Sequence, residues 1–107
     1  MKIVKFLLTI ICVYSLSYQS SIADDAKMKK GLEIFNETAG CAGCHTLKAA
    51  GSDANIGPNL DTVTLTEELV KEMVTHGLGV MPAYGEGILT KEEIDIVSFY
   101  VANSAGK

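Results

Sequence analysis

Apolar residues recur at helical spacing in three stretches of the chain. In the first stretch, Met28, Leu32 and Phe35 lie on one face of a predicted helix that begins at Asp24–Asp25 and extends to about Thr38. Acidic residues favour the first turn of a helix, because the free N–H groups there carry partial positive charge. The spacing therefore predicts an amphipathic first helix.

Two later helices are each predicted to begin at a capping box, the Thr-x-x-Glu pattern in which two side chains bond the free N–H groups of the first turn. The box Thr64–Glu67 opens a second helix that ends at Gly77. The box Thr90–Glu93 opens the last helix, whose apolar side is formed by Ile94, Ile96, Val97, Tyr100 and Val101. Residues 49–59 and 79–87 are predicted as loops, and no stretch alternates convincingly as a strand. The predicted fold is all-α, with three main helices and long loops.

The first 23 residues do not resemble a folded domain. Lys2 and Lys5 form a basic start, residues 6–14 are almost wholly apolar, and Ser21–Ala23 offers small residues where a signal peptidase would cleave. We therefore expect a secretory signal peptide over 1–23 and one domain over 24–107. An uncleaved anchor helix is the alternative, although the apolar run is shorter than the ~20 residues that span a bilayer.

The charge of the predicted mature chain limits its partners. Its 84 residues contain seven Lys and thirteen acidic residues, which gives a formal charge of −6. This charge disfavours nucleic acid, which needs a basic surface. It favours a protein partner with a basic docking patch, since complementary charge raises encounter rates; ordinary solubility is the other explanation.

The sequence Cys41-Ala42-Gly43-Cys44-His45 carries the most specific chemistry in the chain. C-x-x-C-H is the attachment pattern of c-type haem, in which both thiols form thioethers with the porphyrin and the histidine ligates the iron. A redox dithiol would be expected in a βαβ context, which is absent. A structural zinc site would need four ligands, and His76 and Cys12 are the only other His and Cys.

A sixth iron ligand is predicted from a short list of candidates. Met81 lies in the loop before Pro82, beyond a helix end, where a thioether can face the distal side of the haem. Met28 and Met73 lie on apolar helix faces and are interpreted as packing residues. His76, in the last turn before the helix stop, is the rival ligand, and a surface position is the alternative for it.

Taken in order, these motifs resemble the class I c-type cytochromes of the short bacterial and algal type, over about Lys29 to Asn103. The motifs are Gly31 and Phe35 in a first helix, C-A-G-C-H, Gly57-Pro58-Asn59-Leu60, Met81-Pro82-Ala83-Tyr84-Gly85, and a last helix with Ile96 and Tyr100. The chain has no Trp and no Arg, and it lacks the lysine-rich front of mitochondrial cytochromes.

The resemblance implies a set of residue roles around one haem c wrapped by the helices. Cys41 and Cys44 would carry the haem, and His45 and Met81 would ligate its iron. The Pro58 carbonyl would accept a hydrogen bond from His45, and Leu60 would line the pocket. Gly31 would lie where the first and last helices cross, with Phe35 and Tyr100 nearby.

The function expected from these features is one-electron transfer between larger redox proteins, not enzymatic turnover. The mature chain would act in the periplasm, or in the thylakoid lumen of a phototroph, without insertion into a membrane. Two alternatives stay open. One is an electron-accepting subunit of a periplasmic dehydrogenase, and the other is a haem sensor or enzyme in which Met81 does not bind the iron.

Overall fold

Three helices form the framework of the protein. The computed structural model describes residues 21–107; residues 1–20, with Cys12 and most of the predicted signal peptide, lie outside the described residues. Helix α1 covers residues 21–33 and continues into a π-helical turn over Ile34–Thr38. Helix α2 is Glu67–His76 and helix α3 is Lys91–Ser104. No helix in the described range is long and apolar enough to cross a membrane.

The prediction of an all-α fold is confirmed, with one addition. Two-residue strands β1, Thr46–Leu47, and β2, Ser52–Asp53, pair antiparallel. A 3₁₀ turn over Lys48–Ala50 joins them, and the Ser52 hydroxyl oxygen accepts the Leu47 N–H at 3.0 Å. Strands of two residues are too short to show the alternation that predicts a strand, so the sequence pattern missed them.

The helix ends agree with the sequence signals in part. At Thr90 the complete capping box is present, with the Glu93 N–H donated to the Thr90 hydroxyl and the Thr90 N–H donated to the Glu93 carboxylate. The predicted box at Thr64 was wrong, because Thr66 caps α2 by accepting the Leu69 N–H at 3.1 Å. This start leaves Leu65 outside the helix, where it faces the cleft described below.

The start of α1 also differs from its prediction. Residues 21–33 are helical without interruption, so Asp24 and Asp25 lie inside the helix and do not cap it. Aspartate does not break a helix. Its low helix propensity destabilises a helix by at most about 0.7 kcal/mol per residue relative to alanine.

Helix α3 lies at the centre of the core. Val97, Tyr100 and Val101 are at most 4% exposed, and they pack with Ile34 and Phe35 from the end of α1. The crossing of α1 and α3 is at Gly31, as the resemblance implies: a Cβ there would lie 2.2 Å from the Tyr100 Cβ. The buried residues Ile34, Phe35, Leu47, Val70, Val74, Tyr84, Leu89, Ile94, Val97, Tyr100 and Val101 form one hydrophobic cluster.

Candidate haem site

An apolar cleft of about 370 Å³ lies between the Cys41–His45 segment, helix α2 and the loop that contains Met81. Its floor is formed by core side chains from α1 and α3, among them Phe35, Val97 and Val101. The other lining residues are Cys41, Cys44, His45, Ile56, Gly57, Pro58, Leu60, Val63, Leu65, Leu69, Val70, Met73, Val74, Leu78, Val80, Met81, Pro82 and Tyr84. All six site residues predicted from the sequence line this one cleft.

The local backbone explains why the two cysteines and the histidine reach the same cleft. Cys41–Gly43 form a single 3₁₀ turn, and the Cys41 carbonyl accepts the N–H groups of Cys44, at 3.1 Å, and His45, at 3.0 Å. This tight turn brings both thiols and the imidazole onto one side of the chain. Two small residues, Ala42 and Gly43, fit between the cysteines without obstructing the turn.

The imidazole of His45 is fixed from two sides. Its Nδ1 lies 2.8 Å from the Pro58 carbonyl oxygen. Because a carbonyl can only accept, Nδ1 must carry the proton, which leaves Nε2 with a free lone pair for a metal. Gly57 lies directly against the same imidazole ring, since a Cβ there would lie 2.5 Å from His45 Cε1. The Gly57 N–H in turn bonds the Cys44 carbonyl at 2.7 Å, so the turn 57–60 is attached directly to the C-x-x-C-H segment.

The Cys41 thiol does not have the lowered pKa of a reactive redox cysteine, and its surroundings do not form a zinc site. Burial raises the pKa of the Cys41 thiol to about 11, whereas reactive cysteines have a lowered pKa and form thiolates near neutral pH. Among residues 21–107, no group of three or more His, Cys, Asp or Glu side chains is arranged to hold a metal ion. Neither alternative interpretation of the motif is therefore supported.

Met81 reaches the cleft because the chain turns sharply after α2. Gly77 ends the helix with φ of +69°, a conformation that favours glycine, and a Cβ there would lie 2.5 Å from the Met81 carbonyl oxygen. Leu78 and Met81 then exchange two backbone hydrogen bonds, at 3.0 and 3.1 Å. Tyr84 and Gly85 donate their N–H groups back to the Val74 and Thr75 carbonyls, so the loop is attached to the last turns of α2.

The competing ligands lie in different places. His76 is outside the cleft, with its side chain 67% exposed and its Nε2 3.6 Å from a Glu72 carboxylate oxygen. Met28 packs against the hydrophobic core from α1 and does not line the cleft. Met73, in contrast, lines the cleft from α2. The sequence analysis interpreted Met73 only as a packing residue and did not predict this position.

Several apolar cleft residues were missed at the sequence level. Of the residues between His45 and α2, the sequence assigns only Pro58 and Leu60 to the site, yet Ile56, Val63 and Leu65 also line it. Ile56 is 69% exposed and Val63 is 43% exposed. Their only signal was apolar character in an otherwise polar loop, and a single exposed apolar residue is common on protein surfaces.

These residues fit a haem c. The cleft is almost wholly apolar, as a porphyrin ring requires. It presents two thiols at the spacing for thioether formation, an imidazole whose Nε2 is free, and a thioether sulfur on Met81. A soft sulfur and an imidazole nitrogen form a donor set typical of an electron-transfer iron.

Comparisons with known proteins agree with this description. The family model described as "Cytochrome C oxidase, cbb3-type, subunit III" matches residues 26–101. Cytochrome c6 of Picosynechococcus sp. is 32% identical over 97% of this chain and 94% of its own length. Cytochrome c6 of Leptolyngbya boryana is 35% identical over 72% of this chain and 92% of its own.

A solved structure is also similar to this chain. The c-type cytochrome SorU from Sinorhizobium meliloti has 46% sequence identity and a TM-score of 0.72, covering 78% of this chain and 95% of that one. The C-x-x-C-H segment, the apolar cleft, the matching family model and these relatives lead to one conclusion: the chain belongs to the class I c-type cytochromes, and its cofactor is a covalently bound haem c.

Proposed function

We propose that this protein carries single electrons on a haem c that Cys41 and Cys44 would hold through thioethers and whose iron His45 and Met81 would ligate. The observation that carries the proposal is the hydrogen bond between His45 Nδ1 and the Pro58 carbonyl, in a cleft that Met81 also lines. When bound, haem c supplies an Fe(III)/Fe(II) couple that takes up and releases one electron.

The chain's own residues support that role in three ways. The Pro58 carbonyl fixes the tautomer and orientation of His45 and raises the basicity of Nε2. The thioether of Met81 favours the reduced iron more than a second imidazole would, which gives a higher potential. With haem bound, the apolar walls of the cleft would limit the access of water to the iron, so little solvent would have to reorganise when its charge changes.

The proposal includes a location and a partner. We propose that residues 1–23 are removed as a signal peptide and that residues 24–107 act in the periplasm, or in the lumen of a phototroph. With a formal charge of −6, the mature chain suits redox partners with a basic docking patch. Electron exchange with a basic redox protein should therefore slow as salt is raised; a rate independent of salt would contradict a charge-guided encounter.

A reductive titration with and without carbon monoxide tests the carrier function. We expect one electron per chain, full reversibility, and a reduced spectrum that carbon monoxide does not change, because both axial positions are filled. Rapid carbon monoxide binding would show an open distal site and would favour a haem sensor or enzyme.

An electron-accepting subunit of a dehydrogenase is a second candidate, favoured by one observation. Leu78 and Val80, at the rim of the cleft, are 70% and 89% exposed, and exposed apolar residues next to a redox site are suited to a stable protein contact. Size-exclusion chromatography of the native periplasm separates the two candidates. Elution at the mass of the chain alone supports the free carrier, whereas co-elution with one larger redox protein in high salt supports the subunit.

A further inference from the structure

Tyr84 connects three parts of the haem site. It is three residues after Met81, it is 9% exposed, and its ring lines the cleft. Its backbone N–H is donated to the Val74 carbonyl of α2 at 2.9 Å, and its own carbonyl accepts the Leu89 N–H at 3.0 Å. The backbone of Tyr84 is thus held by hydrogen bonds at both its N–H and its carbonyl, and its side chain reaches the end of α1.

The phenol hydroxyl of Tyr84 donates a hydrogen bond to the Ala39 carbonyl at 3.1 Å. Ala39 follows the π-helical turn that ends α1 and precedes Cys41 by two residues. Carbonyls at a helix end lack partners within the helix, so Ala39 offers an acceptor that a buried phenol needs. The bond joins residues 45 positions apart in the chain.

No other hydrogen bond in the described range joins the Met81 loop, residues 77–89, to the segment 34–45. The loop carries the proposed distal ligand, and the segment carries both haem-attachment cysteines and His45. The Tyr84–Ala39 hydrogen bond therefore connects the loop that carries Met81 to the segment that carries Cys41, Cys44 and His45. When that bond is removed, the hydrogen bonds that attach the loop to another element within residues 21–107 are those to α2, while Tyr84 and Leu89 keep their apolar packing in the core.

We propose that Tyr84 is a positioning residue for the distal ligand: its hydroxyl, bonded to the Ala39 carbonyl, keeps Met81 at the distance the iron needs. This proposal rests on the proposed ligation by Met81. The role is separate from packing, since the Tyr84 ring would fill the same space without its oxygen. Removal of the hydroxyl should then weaken the hold on Met81 and leave the fold intact.

The chain offers a matched control in Tyr100. This residue is also buried, at 4% exposure, and it packs against Phe35 with ring centroids 6.1 Å apart. Its hydroxyl lies near the Ser104 side chain of the same helix, and within residues 21–107 it forms no hydrogen bond to the haem-attachment segment or the Met81 loop. Tyr100 does not line the cleft. The variants Tyr84→Phe and Tyr100→Phe each remove one buried hydroxyl, and only the first removes a bond to the haem-attachment segment.

Imidazole titration of the oxidised holoproteins tests the proposal, with the far-red sulfur-to-iron absorption band as the readout of Met81 ligation. Imidazole competes with Met81 for the iron, so a weaker hold on Met81 appears as tighter imidazole binding. We expect Tyr84→Phe to bind imidazole about five-fold more tightly than the parent, the effect of one neutral hydrogen bond. Tyr100→Phe should stay within about two-fold of the parent, because it loses no bond between the Met81 loop and the haem-attachment segment.

The other outcomes are distinguishable. If Tyr84→Phe and the parent bind imidazole equally while both retain the band, the positioning role is overturned and Met81 ligation stands. An equal gain in both variants, with equal losses of melting temperature by circular dichroism, would show a general packing effect and would also overturn it. If the parent protein lacks the far-red band, Met81 does not ligate the iron, and both the proposed ligation and the positioning role of Tyr84 are overturned.

Discussion

His45 depends on two neighbouring residues of different kinds. Pro58 supplies a carbonyl acceptor at 2.8 Å, and Gly57 supplies empty space, because any side chain there would overlap the imidazole. The first contact fixes the tautomer, and the second allows the backbone to approach closely enough for the first to form. At this scale, glycine is needed at position 57 for its lack of a Cβ.

Replacement of Gly57 by Ala should destabilise the holoprotein by about 1–3 kcal/mol, the usual cost of overpacking a filled site. The new Cβ would lie 2.5 Å from His45 Cε1 and 2.8 Å from Nδ1, so either the ring or the turn must move. The measurement is urea unfolding followed by circular dichroism. Gly43→Ala is the control, because nothing lies within 4 Å of a Cβ there; equal stability of the two variants would contradict the steric explanation.

Single residues also show where sequence reasoning ends. The His45–Pro58 bond was implied by the resemblance to c-type cytochromes, and the structure has it. The Tyr84–Ala39 bond was not predicted, because a contact across 45 residues has no local pattern. His76 illustrates the opposite case. Its predicted position at the end of a helix, directly before Gly77, is correct. Its rival role as an iron ligand would require it to face the cleft, and it does not line the cleft.

At the scale of elements, Asp61 joins three segments that lie outside the three α-helices. Its two carboxylate oxygens accept the Gly106 N–H and the Lys48 N–H, both at 2.8 Å. It stands in the 3₁₀ turn Leu60–Thr62, directly after the cleft residue Leu60. One side chain therefore attaches the turn below the cleft to both the β1–β2 connection and the C-terminus.

Asp61 should make stability depend on pH. Hydrogen bonds from the Gly106 and Lys48 amides hold the pKa of its carboxyl below the usual range. A lowered pKa in the folded state stabilises the protein above the unfolded pKa of about 3.9, and this contribution is lost as the pH falls through the folded value. The substitution Asp61→Asn should lower the melting temperature near neutral pH, since the amide presents one N–H group where a second acceptor is needed.

The difference between the melting temperatures of the parent and Asp61→Asn should narrow as the pH falls below the unfolded pKa of about 3.9 and through the lower pKa of folded Asp61. Thermal unfolding followed by circular dichroism at several pH values measures it. Asp53→Asn, at an exposed aspartate with no side-chain hydrogen bond among residues 21–107, serves as the control. A constant gap across the pH range would contradict the assignment to the charged carboxylate.

Elements were predictable where their signals are local. Both bonds of the Thr90 box formed as predicted, because Thr90 and Glu93 are exposed or half-buried and compete with no tertiary contact. At Thr64 the same four-residue pattern failed, since a helix beginning there would withdraw Leu65 from the cleft. The position of Leu65 in the cleft therefore favours Thr66 over Thr64 as the N-cap of α2. The local sequence alone does not contain this information.

For the whole molecule, the size of the core limits what the chain can do without its cofactor. The mature domain would have 84 residues, a size at which hydrophobic burial alone gives marginal stability. Several apolar side chains line the cleft without belonging to the hydrophobic cluster: Ile56, Val63, Leu69, Met73, Leu78 and Val80. Covalent haem adds a large apolar body to this cleft and two tethers to the chain.

We therefore expect the mature chain without haem to be poorly folded. Circular dichroism of apoprotein produced without haem-maturation machinery should show reduced helicity and no cooperative melting, whereas the holoprotein should melt cooperatively. Cooperative unfolding of a fully helical apoprotein would show that the core among α1, α2 and α3 is sufficient by itself.

The absorption spectrum of the oxidised holoprotein tests the axial ligand pair most directly. We would compare the parent with Met81→Ala and with Met73→Ala, which removes the other thioether that lines the cleft. We expect a low-spin spectrum with the far-red sulfur-to-iron band in the parent and in Met73→Ala. In Met81→Ala the band should be absent, carbon monoxide should bind after reduction, and the potential should fall. A band that survives in Met81→Ala, or is lost in Met73→Ala, would contradict the assignment of Met81 as the distal ligand.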